Sequence, residues 1–224
     1  MIGIIKFFDN ESYLDLLIAG TLYCNTPEFY RQSRLEGVSD KNESCLFSYR
    51  RKRGDEEIIL EVNGIKIKYI SRLTAHNPGF PEAWLHCWMA LELPDTYEEL
   101  ESLKKDILRL KIEFGNYYAF ISFDKITSFF NVIQTLTTFK VILGNVAYSD
   151  KATNCGPACK DVSYAYQREF RFLIGECGIN TVDPLVLNYE EGFNEYIQKN
   201  PEIIVKLEGQ NDPLFQLTTN KSTT

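Results

Sequence analysis

The residues best equipped for chemistry fall in two segments. The later one is YAYQREFRFLI, residues 164–174. Its second half reads as a strand over 166–174, where alternate side chains share a face. Phe170, Phe172 and Ile174 then face a core, while Gln167, Glu169 and Arg171 face the other way. A carboxylate held on a rigid strand beside a guanidinium can stabilise a positive, sugar-like transition state or bind a ribose hydroxyl. A surface ion pair on an exposed sheet face would give the same pattern and contribute little. The earlier segment is GTLYCNTPEFYR, residues 20–31, which crowds Tyr23, Asn25, Thr26, Tyr30 and Arg31 around one turn. Such groups can hydrogen-bond sugar hydroxyls and an amide, and a ring can stack on a flat base. A plain helix start accounts for part of it, with Thr26 as cap, Pro27 at the first helical position and Phe29 in the core.

Other chemistries leave no trace. The chain has no phosphate-binding G-x-x-x-x-G-K-[ST] loop, no G-x-G-x-x-G, no G-x-S-x-G and no H-E-x-x-H. Its two histidines, His76 and His86, argue against His-based acid–base or metal catalysis. His86 lies between Trp84 and Trp88 and reads as a core residue. An enzyme built from this chain would rely on carboxylate, hydroxyl and arginine groups. Of the six cysteines, Cys155 and Cys159 form a C-x3-C pair, but zinc needs two further well-spaced ligands. We expect free or structural thiols and no metal. The dense basic run is Arg50-Arg51-Lys52-Arg53, beside Tyr49. Between residues 31 and 53, basic side chains at 31, 34, 41, 50, 51, 52 and 53 outnumber acidic ones at 36, 40 and 43. A basic loop next to an aromatic can track a single-stranded phosphate backbone. Asp55, Glu56 and Glu57 follow at once and could neutralise it.

These groups need a scaffold, and 224 residues supply a single domain, 1–224, with a polar tail from 209 to 224. A 44% apolar content rules out a mostly disordered chain, and a net charge of -7 argues against a generic nucleic-acid coat protein. With 15 Phe, 13 Tyr and 2 Trp, aromatics remain for a ligand site after a core is filled. No run approaches the roughly 18 apolar residues of a membrane span, and the N-terminus lacks signal-peptide order. We therefore expect a cytoplasmic protein with no membrane partner. The pattern predicts strands at 2–8, 22–24, 84–93, 117–123, 139–148 and 166–174, and helices at 10–19, 28–34, 95–113, 124–134 and 190–199. Asp95 with Glu98 reads as a capping box for the long helix. Asn63-Gly64 between two alternating runs predicts a hairpin. Intermixed elements without βαβ alternation give an α+β fold with an antiparallel or split sheet.

Taken together, residues 20–31, the D-x-x-E at 40–43 and the Q-R-E-F-R at 167–171 resemble bacterial proteins related to ADP-ribosyltransferases. These occur in phage-defence and toxin–antitoxin(–chaperone) settings. The resemblance implies a split antiparallel sheet that clamps NAD as co-substrate. It implies a catalytic Glu169 that binds the nicotinamide ribose and stabilises the charge formed as nicotinamide leaves. Tyr23 would anchor the co-substrate with Asn25 and Thr26, Tyr30 would stack on nicotinamide, and Ser122 would fill a middle-strand hydroxyl position. Gln167 forms a Q-x-E pair with Glu169 and would orient the target, with Arg50, Arg51 and Arg53 binding it. The chain lacks the Ser-Thr-Ser triplet of better-known patterns. The implied activity is transfer of ADP-ribose to a macromolecule, single-stranded RNA among the candidates, in anti-phage defence with an antitoxin partner. A non-catalytic nucleotide- or protein-binding module and a pure NAD glycohydrolase remain open.

Overall fold

The computed structural model describes residues 1–35, 37–76, 79, 81–151, 153, 156–206 and 212–219. The chain opens with β1 (Gly3–Phe8), α1 (Glu11–Ile18), β2 (Thr21–Cys24) and α2 (Pro27–Gln32). Next come β3 (Phe47–Arg50), the hairpin β4 (Leu60–Val62) and β5 (Ile65–Ile67), β6 (Arg72–Ala75) and β7 (Glu82–Leu91). The middle holds α3 (Tyr97–Phe114), β8 (Tyr117–Ser122), α4 (Phe123–Thr135), β9 (Val141–Asn145), β10 (Ala147–Ser149) and β11 (Cys159–Asp161). The last strands are β12 (Glu169–Cys177), β13 (Leu185–Asn188), β14 (Gln198–Lys199), β15 (Ile203–Val205) and β16 (Phe215–Leu217). The fold is mixed α and β around one main antiparallel sheet of six strands in the order β14-β8-β1-β7-β12-β9. No described helix is long and apolar enough to cross a membrane.

Local chemistry explains the helices. Asn10 caps α1 by accepting from Ser12 N–H, and the chain leaves α1 through Gly20 at φ 108°. A β-carbon at Gly20 would stand 1.9 Å from the Tyr189 carbonyl oxygen, so only glycine fits. The capping box of α3 is Thr96 with Glu99, one residue later than Asp95 with Glu98, because Thr96 holds the extended cap conformation. Residues 190–199 do not form the expected helix. Gly192 at φ 71° starts a tight turn, one helical turn closes from Ile197 N–H to Phe193 O, and the chain goes straight into β14. Asn63 and Gly64 both have positive φ, 51° and 80°, as the expected two-residue hairpin turn requires. Within the polar tail, β16 pairs with β15 and Leu217 is buried; residues 209–211 and 220–224 lie outside the described residues.

The sheet has two buried faces. On one, Ile4, Trp88, Phe170, Phe172 and Ile174 pack under α1 and α4 around Phe129. On the other, Ile5, Phe7, Met89 and Leu91 meet Leu103, Ile107 and Leu110 of α3. The sheet parts in its middle. β1 pairs with β8 at six positions but with β7 only at Gly3, Ile4 and Ile5. Further along, the edge of β7 is met by Asn25, which exchanges two backbone hydrogen bonds with Leu85 at 3.0 and 2.7 Å. Between them the Cys87 carbonyl accepts from the Lys6 ammonium at 2.8 Å.

Phe129 is fully buried and makes ring contacts with Trp88, Phe172, Phe193 and Tyr196. Phe129→Ala is expected to cost about 3–5 kcal/mol in urea unfolding.

Candidate functional site

The two motif segments meet on the α3 side of the sheet. In β12, Glu169 lies opposite Met89 and Arg171 opposite Cys87, so both project from that face. The strand alternation is as expected, but the face is covered: Glu169 is 5% exposed and Arg171 2%. The surface ion pair is thus replaced by a buried one. The Arg171 guanidinium bonds Glu169 at 2.7 and 3.3 Å and grips Glu43, the last residue of the D-x-x-E segment, at 2.7 and 2.8 Å. Lys160 of β11 contacts Glu169 at 2.8 Å and Glu43 at 3.7 Å. Two carboxylates and two cations are interlocked away from water, and in such a place each charge persists only because the others are there.

Protonation follows from that arrangement. Burial opposes charge on Glu169, but Arg171 and Lys160 overcome it and hold the carboxyl far below the usual range. Burial likewise works against charge on Lys160 and Arg171, and the two carboxylates keep both protonated. Burial pushes the Cys87 thiol up to about 12, with Glu169 adding to the effect. Asp40 is pushed up to about 6, first by burial and then by Glu43.

A cavity of about 120 Å³ lies where β1 and β7 separate. Ile5, Phe7, Met89, Leu110 and Phe114 give it apolar walls. Tyr30, Cys87, Gln167, Glu169, Lys160 and Lys6 supply its polar groups. A cavity of roughly 150 Å³ takes one benzene, so this one is no larger than a single small ring. Past Phe7, Val38 and Phe114 it adjoins a depression of about 600 Å³ flanked by Phe8, Asp9, Leu35 and Arg109. The loop around residues 37–45 covers the site. It is tied down by Gln167 Nε2 to the Gly37 carbonyl at 2.8 Å, by the Tyr164 hydroxyl to the Ser39 carbonyl at 2.7 Å, and by Arg31 to the Glu43 carbonyl at 2.9 Å.

Of the residues singled out in the sequence, Tyr30, Gln167 and Glu169 line the cavity. The Tyr30 hydroxyl lies 3.9 Å from Cys87 Sγ. Gln167 sits differently from the strand reading. It ends a 3-10 helix, Val162–Gln167, and Arg168 turns the chain at φ 44° before β12 begins. Gln167 and Glu169 still meet at one wall, joined through Lys160, whose ammonium donates to Gln167 Oε1 at 3.0 Å.

The remaining residues lie outside the cavity lining. Tyr23 is half exposed on β2, and its main-chain carbonyl faces His86 Nδ1 at 3.0 Å. Asn25 bridges to β7, and its Oδ1 is buried without a hydrogen-bond partner among the described residues. Thr26 caps α2 by accepting from Phe29 N–H at 3.2 Å. Ser122 ends β8 at the start of α4.

The basic run is largely spent on the fold. Arg50 bonds Asn42, Thr74 and two carbonyls, and Arg53 pairs with Asp55 and Asp161. Arg51 and Lys52 stay exposed, Arg51 beside the Tyr69 ring. Tyr49 is 1% exposed, so it cannot stack on a base. Cys155 lies outside the described residues, among which no metal-binding cluster occurs. Glu43, Lys160, Cys87 and Lys6 escaped sequence reading. For Glu43 the signal was present, in the D-x-x-E spacing. The other three become neighbours of Glu169 only through sheet pairing and the β11 turn.

Comparison of the chain with protein-family models, with curated proteins and with solved structures returned no match in any of the three. The site is therefore interpreted from its own geometry. Arg171→Met leaves Glu43 and Glu169 facing each other with Lys160 alone between them, and is expected to cost about 3–5 kcal/mol in urea unfolding. Asp40 acts in the opposite sense to a paired carboxylate. Its raised value means the native state holds a proton that the unfolded chain releases near 3.8, so its contribution is full below that pH and is lost as pH rises through about 6. Relative to wild type, Asp40→Asn should gain about 2–3 kcal/mol between pH 4 and pH 7.5, measured by urea unfolding at each pH.

Proposed function

We propose that this chain is an NAD-dependent ADP-ribosyltransferase that passes ADP-ribose to a macromolecule, acting as a toxin in anti-phage defence. The observation that carries the reading is the meeting of two separate motif segments, through Tyr30 and through Gln167 and Glu169, at one small cavity, with the third segment tied to Glu169 behind its wall by the Arg171–Glu43 pair. The parting of β1 from β7 agrees with the split sheet that the resemblance implies. The cavity, open toward the adjoining depression, takes the leading edge of a flat ring such as nicotinamide, and the depression of about 600 Å³ has room for the remainder of the dinucleotide.

In this reading the ribose–nicotinamide bond breaks and its electron pair leaves with the nicotinamide nitrogen. The acceptor forms the new bond to the same ribose carbon and passes its proton to water. Glu169, whose charged form Arg171 and Lys160 favour, faces the positive charge that develops on the ribose. It acts by electrostatics, because a carboxyl held this far down has no proton to donate. Arg171 and Lys160 are positioning residues that fix the carboxylate. Tyr30 keeps the stacking role, since it lines the cavity, whereas Tyr23 lies outside the lining and loses the anchoring role. RNA as acceptor rests on Arg51 and Lys52, the exposed members of the basic run.

A second reading has its own support. Both Glu169 oxygens already accept from Arg171 or Lys160, and a carboxylate saturated in this way also suits a rigid, non-catalytic nucleotide- or protein-binding module. NAD labelled in its adenylate half separates the possibilities. Incubated with purified protein and cell RNA or protein, it should yield free nicotinamide and labelled macromolecule. Glu169→Gln, if circular dichroism shows it folded, should lower the rate about 100- to 1000-fold. Free ADP-ribose without labelled acceptor would mean a glycohydrolase. NAD left intact by the wild type would leave the binding module.

A further inference from the structure

Three charged residues line the cavity, and their partners differ. Glu169 and Lys160 neutralise each other within the interlocked network. Lys6 has no carboxylate within ion-pair distance among the described residues; its ammonium donates to the Cys87 carbonyl and lies 6.0 Å from the centre of the Phe8 ring. That carbonyl lies in the gap where β7 has lost β1 and has not yet met Asn25. An ammonium has three protons to donate, and a single carbonyl leaves it under-used. Burial, the largest effect on the Lys6 ammonium, makes its charge less stable than in water, a penalty that an anion beside it would remove. The lining carries two cations against one carboxylate, so it favours a ligand with a negative oxygen.

We propose that Lys6 is an anion-recognising residue of this cavity. On binding, its ammonium leaves the Cys87 carbonyl for a phosphate oxygen of a nucleoside-diphosphate-type ligand. With the phosphate at Lys6 inside the small cavity, the larger depression beside it fits the other parts of such a ligand. The assignment rests on the nucleotide reading of the cavity but does not require that NAD be cleaved.

Calorimetric titration of the full chain with ADP and with adenosine tests it. The wild type should bind ADP about 10- to 100-fold more tightly than adenosine, the range of one or two charge-assisted hydrogen bonds. Lys6→Met keeps length and apolar bulk, and should erase that preference while leaving adenosine binding in place. A folded Lys6→Met that still prefers ADP overturns the proposal. The wild type gives an independent readout through 13C-dimethyl-lysine NMR. The Lys6 resonance should move with ADP and stay still with adenosine, and a resonance indifferent to both also overturns it. NAD turnover tells this failure from that of the activity. If NAD is cleaved with the same KM by wild type and Lys6→Met, the Lys6 assignment falls and the activity stands. If ADP preference depends on Lys6 while NAD survives, the activity falls and the assignment stands.

Discussion

Everything around the candidate site depends on the two-sided grip of Arg171. One planar guanidinium holds Glu169 from its own strand and Glu43 from a loop 128 residues earlier. A fixed fork of five donors allows this, where the compact charge of a lysine would not. Because every member is buried, no pair can be released singly without leaving a charge uncompensated. The network is therefore a positional constraint more than a source of stability. It fixes the loop around residues 37–45, the β11 turn and the start of β12 relative to one another.

That constraint sits beside a second one, the loss of pairing between β1 and β7. On the α1 and α4 side the sheet is sealed by an apolar cluster centred on Phe129. On the α3 side, apolar packing covers the paired end of β1, and the parted end is filled by the charged network and the cavity. The hydrophobic core thus holds the two halves of the sheet rigidly. The gap between them is left to polar groups, which a ligand can approach from the adjoining depression.

The sequence was most legible where a signal is local. The Asn63-Gly64 turn, the helices α3 and α4 and the burial of Phe170, Phe172 and Ile174 all follow from spacing alone. Thr26 and Pro27 fit the plain helix-start reading, since Thr26 is occupied as a cap. Legibility failed where a residue's neighbours come from afar. Nothing in Tyr49 distinguishes it from an exposed tyrosine until β6 pairs with β3 and the surrounding loops close over it. Asp55, two residues on, pairs with Arg53 as its position allows, but Asn42 and Thr74, which hold Arg50, and Asp161, the second partner of Arg53, lie 8 to 108 residues away. The same limit hid Lys6: an apolar run with one lysine looks like a strand with a solvated charge.

By itself the sequence determined the long helices and the main strands, the antiparallel α+β character of the fold and the placing of Glu169 and Arg171 on one face of a strand. Those properties depend on backbone periodicity and local capping, which a few neighbouring residues settle. Only the tertiary structure decided whether that face meets solvent or protein, which of the tyrosines reaches the cavity, and which basic groups are spent on the fold. Burial and charge pairing are properties of the assembled chain, since the desolvation and the partners that set them come from elements distant in sequence.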